Sequence, residues 1–137
     1  MMKKKVLLVD DDADVVAQNK MFLESAGYFV ESAGSAGEAE KKLDSFDPDI
    51  VVVDIMMEHP KAGVELARKL TDPDNDKRYP VIFLTSYGAN PELLDEPDYI
   101  WSKTVNVLSK PADPLKLLDE INGYFEFLML QSDQVKG

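Results

Sequence analysis

The chain has 137 residues, 45% of them apolar, no cysteine, and 26 acidic against 15 basic side chains for a formal net charge of −11. That is enough material for one domain with one core, expected over residues 1–137 with its body at about 4–125. The lack of cysteine rules out disulfides and thiolate metal sites and fits a reducing cytoplasm, and the acidity makes direct nucleic acid binding unexpected, because such binding depends on Lys and Arg contacts. Lys3-Lys4-Lys5 followed by Val6–Val9 imitates the start of a signal peptide, but the apolar run meets acid after four residues. No segment is long enough to cross a bilayer.

Lys4–Val9 predicts a first strand, running straight into Asp10-Asp11-Asp12. Val15, Val16, Asn19, Phe22, Leu23 and Ala26 recur at helical spacing, and Gly27 stands where a helix stops. Tyr28–Ser32 predicts a short second strand. Ser35-Ala36-Gly37-Glu38 is a capping box that opens a helix to about Phe46. Ile50–Val53 is an unbroken apolar run of the kind buried on both faces of a sheet, and it ends at Asp54. Val64, Ala67 and Leu70 mark a third helix, and Thr71–Tyr79 a polar loop. Val81–Leu84 is a fourth buried strand ending at Thr85. Pro91–Glu96 has room for only a short helix before Pro97. Val105–Leu108 leads to Ser109-Lys110-Pro111, and Asp113-Pro114 opens a last helix to about Gln131 with Asp as N-cap and Pro in the first position. Its expected core positions are Leu115, Leu118, Ile121, Tyr124, Phe125 and Leu128; Phe127, Met129 and Leu130 widen the stripe toward a tail contact or a dimer or partner surface.

Five strand–helix pairs in alternation predict a doubly wound parallel sheet with helices on both faces. In such a sheet the site lies beyond the carboxyl ends of the strands. Those ends carry Asp10 and Asp11, Asp54, Thr85 and Lys110, which would meet in one crevice. Three carboxylates repel one another, and a hard divalent cation such as Mg²⁺ with oxygen ligands relieves that repulsion. An ammonium and a hydroxyl beside it suit a phosphoryl group, whose oxygens need charge neutralised from several directions. A carboxylate can itself be the nucleophile, and Asp54, at the end of the most buried strand, is best placed. Asp12 reads as the cap of the first helix, and His59, the single histidine, as a loop residue with no second histidine to build a transition-metal site.

With Val9-Asp10-Asp11, Asp49–Met57, Val81–Ser86 and Leu108-Ser109-Lys110-Pro111 in this order, the chain resembles a response-regulator receiver domain of two-component signalling, from about Lys4 to Phe125. The resemblance implies a flavodoxin-like strand order 2-1-3-4-5 with five helices. It implies that Asp54 accepts a phosphoryl group from a histidine kinase or histidine phosphotransfer protein and so switches a surface read by a downstream partner. It further implies Mg²⁺ ligation by Asp11, Asp54 and the backbone carbonyl of Met56, with Asp10 holding a metal-bound water. Lys110 and Thr85 would bind phosphoryl oxygens, and the Lys110–Pro111 bond would be cis. Departures stand beside it: Glu58 replaces the usual proline in a loop about one residue longer before Gly63, and Val107 replaces the usual switch aromatic. Bulky Met56 and Tyr87, at the positions that tune hydrolysis in the family, imply a long-lived phosphorylated state. Two other readings stay open: a receiver-like scaffold that takes no phosphoryl group, and a Mg²⁺-dependent phosphatase in which Asp10 and Asp12 imitate an Asp-x-Asp pair.

Overall fold

A computed structural model describes residues 3–55, 62–85, 96–110 and 113–136. The elements follow the expected alternation: β1 (Lys5–Val9), α1 (Ala13–Ser25), β2 (Phe29–Ala33), α2 (Ala36–Phe46), β3 (Ile50–Asp54), α3 (Ala62–Thr71), β4 (Val81–Thr85), α4 (Asp98–Lys103), β5 (Thr104–Ser109) and α5 (Pro114–Lys136). The strands form one parallel sheet in the order β2-β1-β3-β4-β5.

Alternation along the strands divides the interior in two, because successive side chains point to opposite faces. Leu7, Val9, Val51, Val53, Val81 and Phe83 join Ala39 of α2, Leu66, Ala67 and Leu70 of α3, and Ile100 of α4. Val6, Leu8, Ile50, Val52, Ile82 and Leu84 join Leu23 of α1 and Leu117 and Ile121 of α5. The three inner strands are buried along nearly their whole length because helices cover both faces.

The helix ends obey local chemistry. Asp12 caps α1 by accepting from the amides of Asp14 and Val15, Ser35 caps α2 through the Glu38 amide, and the Asp113 carboxylate accepts from the Leu115 amide at 2.9 Å. Gly27 leaves α1 at φ +100°, where a side chain would be strained.

Three expectations change. The helix placed at Pro91–Glu96 falls almost wholly outside the described residues, and the helix that is described, α4, begins after Pro97. Proline fixes φ near the helical value and lacks only an amide that a first turn does not use, so it starts this helix instead of stopping one. Tyr99 packs partly buried against the core from α4. In α5 the buried pair is Leu117 and Ile121, while Leu115 and Leu128 are exposed. A helix of 23 residues is about 34 Å long, twice the reach of a five-residue strand, so its second half runs past the sheet. Thr71 belongs to α3 and is fully buried, with its hydroxyl donating to the Ala67 carbonyl. Among the described residues, no helix is long and apolar enough to cross a membrane.

Two arginines hold α3, α4 and the chain between them. Arg68 makes a two-pronged bond to Glu96 at 2.5 and 2.8 Å. Arg78 donates to the carbonyls of Thr71 and Tyr99 and to the Ser102 hydroxyl.

Gly63, in the first turn of α3, sits against the end of β3. A Cβ there would lie 2.5 Å from the Asp54 carbonyl oxygen, 2.7 Å from Ile55 Cα and 2.9 Å from the Ile55 oxygen. All three are backbone atoms and cannot swing aside. Gly63→Ala therefore costs roughly 2–3 kcal/mol of overpacking in urea unfolding. Gly37→Ala, in α2 with nothing within 4 Å of the added carbon, stabilises by up to about 1 kcal/mol.

Candidate functional site

The sheet brings the carboxyl ends of β1, β3, β4 and β5 side by side. Val9 lies opposite Val53, Asp54 opposite Leu84 and Thr85 opposite Ser109. Asp10, Asp54 and Thr85 are 5%, 3% and 1% exposed, while Asp11 next door is open to solvent. One carboxylate oxygen from each of Asp10, Asp11 and Asp54 falls within a group whose members all lie within 4.8 Å of one another. The Lys110 ammonium donates to both buried acids, at 3.0 Å to Asp10 Oδ2 and 2.9 Å to Asp54 Oδ2.

Backbone bonds fix these side chains. The Asp10 amide donates to the Ala33 carbonyl at 3.1 Å and the Ile55 amide to the Leu84 carbonyl at 2.9 Å, extending the ladder past the strand ends. The Lys110 amide donates to the Thr85 carbonyl at 2.6 Å, which anchors the lysine to the end of β4. The Asp12 amide donates to Asp10 Oδ1 at 2.9 Å and orients that carboxylate.

Among the described residues, the carboxylates of Asp10, Asp11 and Asp54 share this corner with the Lys110 ammonium. Burial pushes the Asp10 carboxyl above the ordinary carboxylate range; the Asp12 amide and Lys110 oppose this, and the Asp54 charge adds to it. Burial pulls Lys110 downward, but its bonds to Asp54 and Asp10 together outweigh that and leave it raised, firmly charged. The donor set is all oxygen, partly buried and anionic, with one member facing solvent. It fits a hard divalent cation such as Mg²⁺.

The expected residues Asp10, Asp11, Asp54 and Lys110 thus meet, and Thr85 ends the adjoining strand. Met56, with the carbonyl expected to ligate the metal, lies outside the described residues, as do Glu58, His59, Tyr87 and Pro111. Two features were not anticipated. Gly63 lets α3 approach the backbone of Asp54. A crevice of about 380 Å³ opens beside the acids between α1 and the end of β2, and Lys20 and Ser32 help line it. Lys20 gave no signal, because in the sequence it reads as one more solvent-facing helical lysine.

The burial of Asp10 has a stability consequence. The folded pKa of Asp10 lies above its unfolded value, so the fold favours the protonated form, and this advantage is lost as pH rises through the folded pKa. In EDTA at neutral pH, Asp10→Asn raises the melting temperature by about 4 °C, the shift that about 1 kcal/mol produces in a domain of this size. The gain shrinks when the same melts are run near the ordinary carboxylate range, where the wild-type carboxyl is itself protonated.

The geometry can be set beside known proteins. Residues 6–122 match the family of the response regulator receiver domain. The chain is 30% identical over 133 residues to the alkaline phosphatase synthesis transcriptional regulatory protein PhoP of Bacillus subtilis, covering 96% of this chain and 51% of PhoP. It is 32% identical over 118 residues to the response regulator receiver protein CpdR of Brucella abortus, covering 86% of this chain and 93% of CpdR. It therefore spans about half of the first relative and nearly all of the second. Among solved structures, the chemotaxis response regulator CheY4 of Vibrio cholerae superposes with a TM-score of 0.73 at 28% identity, over 88% of this chain and 98% of CheY4. With the family matched over most of its length and the sheet order in agreement, the chain belongs to the receiver domains of two-component response regulators.

Proposed function

We propose that this receiver domain takes a phosphoryl group on Asp54, in the presence of Mg²⁺, from a histidine kinase or a histidine phosphotransfer protein. The observation that carries the reading is the Lys110 ammonium bridging Asp10 and Asp54 inside a three-carboxylate cluster. In the transfer, an Asp54 carboxylate oxygen forms the new bond to phosphorus as the bond to the donor's imidazole nitrogen breaks. The imidazole leaves with the electron pair and recovers a proton from solvent.

The chain's own groups divide the work. Asp10, Asp11 and Asp54 would hold the ion, Asp11 from the solvent side. Bound there, Mg²⁺ would supply positive charge to the phosphoryl oxygens. Lys110, anchored through its amide to the Thr85 carbonyl, offers its ammonium to one phosphoryl oxygen, and the Thr85 hydroxyl donates to another. Burial of Asp10, Asp54 and Thr85 strengthens each of these interactions by keeping bulk water away. The added charge biases a surface read by a downstream protein, in the cytoplasm.

Incubation with acetyl phosphate and Mg²⁺ adds one phosphoryl group per chain by intact mass. Asp54→Ala and EDTA each abolish the addition, and Lys110→Ala slows it by about 100-fold. Sustained release of phosphate from small esters with no modified protein would identify a phosphatase. An unmodified protein with no turnover would identify a scaffold.

A further inference from the structure

Asp54 and Lys110 sit on opposite arms of a closed frame. On one arm, the first turn of α3 lies directly on the end of β3. A Cβ on Gly63 would fall 2.5 Å from the Asp54 carbonyl oxygen, so α3 has no slack against Asp54. On the other arm, α4 ends at Lys103 and β5 begins at Thr104, with no residue between them. β5 then runs straight into Lys110. The near side of the frame is closed by the Lys110 ammonium on Asp54 Oδ2 at 2.9 Å. The far side is closed by two arginines that tie α3 to α4.

Apolar burial does little to hold that far side. α4 has six residues, of which Ile100 alone is buried, and its N-cap makes no side-chain hydrogen bond. The start of β5 is not locked either, since its ladder to β4 breaks register between Val81 and Ile82. Polar contacts take over. The Arg68 fork on α3 meets the Glu96 carboxylate, just before α4, at 2.5 and 2.8 Å. Arg78 donates at 2.7 Å to the carbonyl of Thr71, the last residue of α3. It also donates at 3.1 Å to the Tyr99 carbonyl and at 3.0 Å to the Ser102 hydroxyl, both in α4. The Glu96 side chain is 6% exposed against 50% for Arg68. A carboxylate so deeply buried depends on its guanidinium, and loss of Arg68 would drive it toward water. The contact therefore has two distinct arrangements, closed on the arginine or open to solvent.

We propose that the Arg68–Glu96 and Arg78 contacts form a brace that restrains phosphorylation: closed, it fixes α4 and β5 in the resting position, and its opening favours the phosphorylated form. The inference rests on the reading that Asp54 takes the phosphoryl group. On that reading Lys110 leaves an Asp54 carboxylate oxygen for a phosphoryl oxygen farther from β3, and the Thr85 hydroxyl turns to another. The Lys110 amide is bonded to the Thr85 carbonyl, so the ends of β4 and β5 are drawn together toward the new group. A displaced β5 carries α4 with it, because no loop takes up the movement. α3, seated on Asp54 through Gly63, does not follow. The brace between the two helices opposes the shift. The opposition is reciprocal, so whatever free energy the closed brace withholds from phosphorylation, phosphorylation withholds from the closed brace.

Two readings on the full chain test it. Acetyl phosphate with Mg²⁺, followed by intact mass, gives the rate of phosphorylation. Beryllofluoride with Mg²⁺, a phosphoryl mimic, is followed by the emission of Trp101, the single tryptophan of the chain, which lies in α4. Arg68→Met and Glu96→Gln are each phosphorylated about threefold or more faster than the wild type, a change within reach of one coupled contact, while their melting temperatures fall. Arg68→Lys, which keeps the charge and loses the fork, lies between. Without beryllofluoride, Trp101 emission in Arg68→Met is already displaced toward the value the wild type reaches with it. A contact that only supported the fold would lower the melting temperature and leave the rate unchanged or reduced. A wild type that gains the phosphoryl group while these variants gain it no faster overturns the brace alone, as does Trp101 emission in Arg68→Met equal to that of the resting wild type. A wild type that gains no group overturns both the brace and the reading beneath it.

Discussion

Everything at the carboxyl edge of this sheet depends on one ammonium holding two buried carboxylates together. Asp10 and Asp54 are almost wholly removed from water, where two like charges repel far more strongly than at the surface. Lys110 satisfies both at 3.0 and 2.9 Å, yet Asp11 adds a third carboxylate to the group. Burial raises the pKa of Asp10, and the Asp54 charge adds to it. A domain selected only for stability would replace Asp10 with a neutral residue. Keeping a buried acid there makes sense where its charge is used to bind something cationic, so local instability and binding capacity both follow from its burial.

The fold supplies what one lysine cannot. Each acid lies just past or at the end of a strand whose register is set by apolar alternation. A one-residue slip in β1 or β3 would carry Val6, Leu8, Ile50 and Val52 out of one core into the other. The burial of those four aliphatic side chains is thus what holds the carboxylates in place. Gly63 does the same from the other side, since only a bare α-carbon lets α3 close over the Asp54 and Ile55 backbone.

Most of this was legible in the residues, for a physical reason. Fully buried strands announce themselves as unbroken apolar runs, and helix caps depend on one or two side chains, so β1, β3, β4 and the caps at Asp12, Ser35 and Asp113 could be read directly. Their termini named the site. What failed depended on three-dimensional distance. Nothing in the spacing of α5 says where the sheet stops, so its pattern predicts Leu128 as core although it is exposed, and does not single out the buried Leu117 from its neighbours Leu115 and Leu118. Pro97 read as an end because proline both begins and stops helices, and only the burial of Ile100 shows which.

β5 shows how the two ends of the molecule are joined. It is an edge strand, and such strands expose unpaired backbone groups that invite aggregation. Its ladder to β4 breaks register between Val81 and Ile82, where Thr104 and Asn106 are the partners and Val105 is left over. The Asn106 side chain accepts from the Val107 amide, occupying a donor that a foreign strand would need. Both devices blunt the edge near Thr104. At the other end Ser109 pairs with Thr85, and the Lys110 amide locks onto the Thr85 carbonyl. The strand is therefore tight where it presents the lysine to the acids and irregular at its start. Precise placement of Lys110 requires the first, and an edge that avoids indiscriminate strand pairing requires the second.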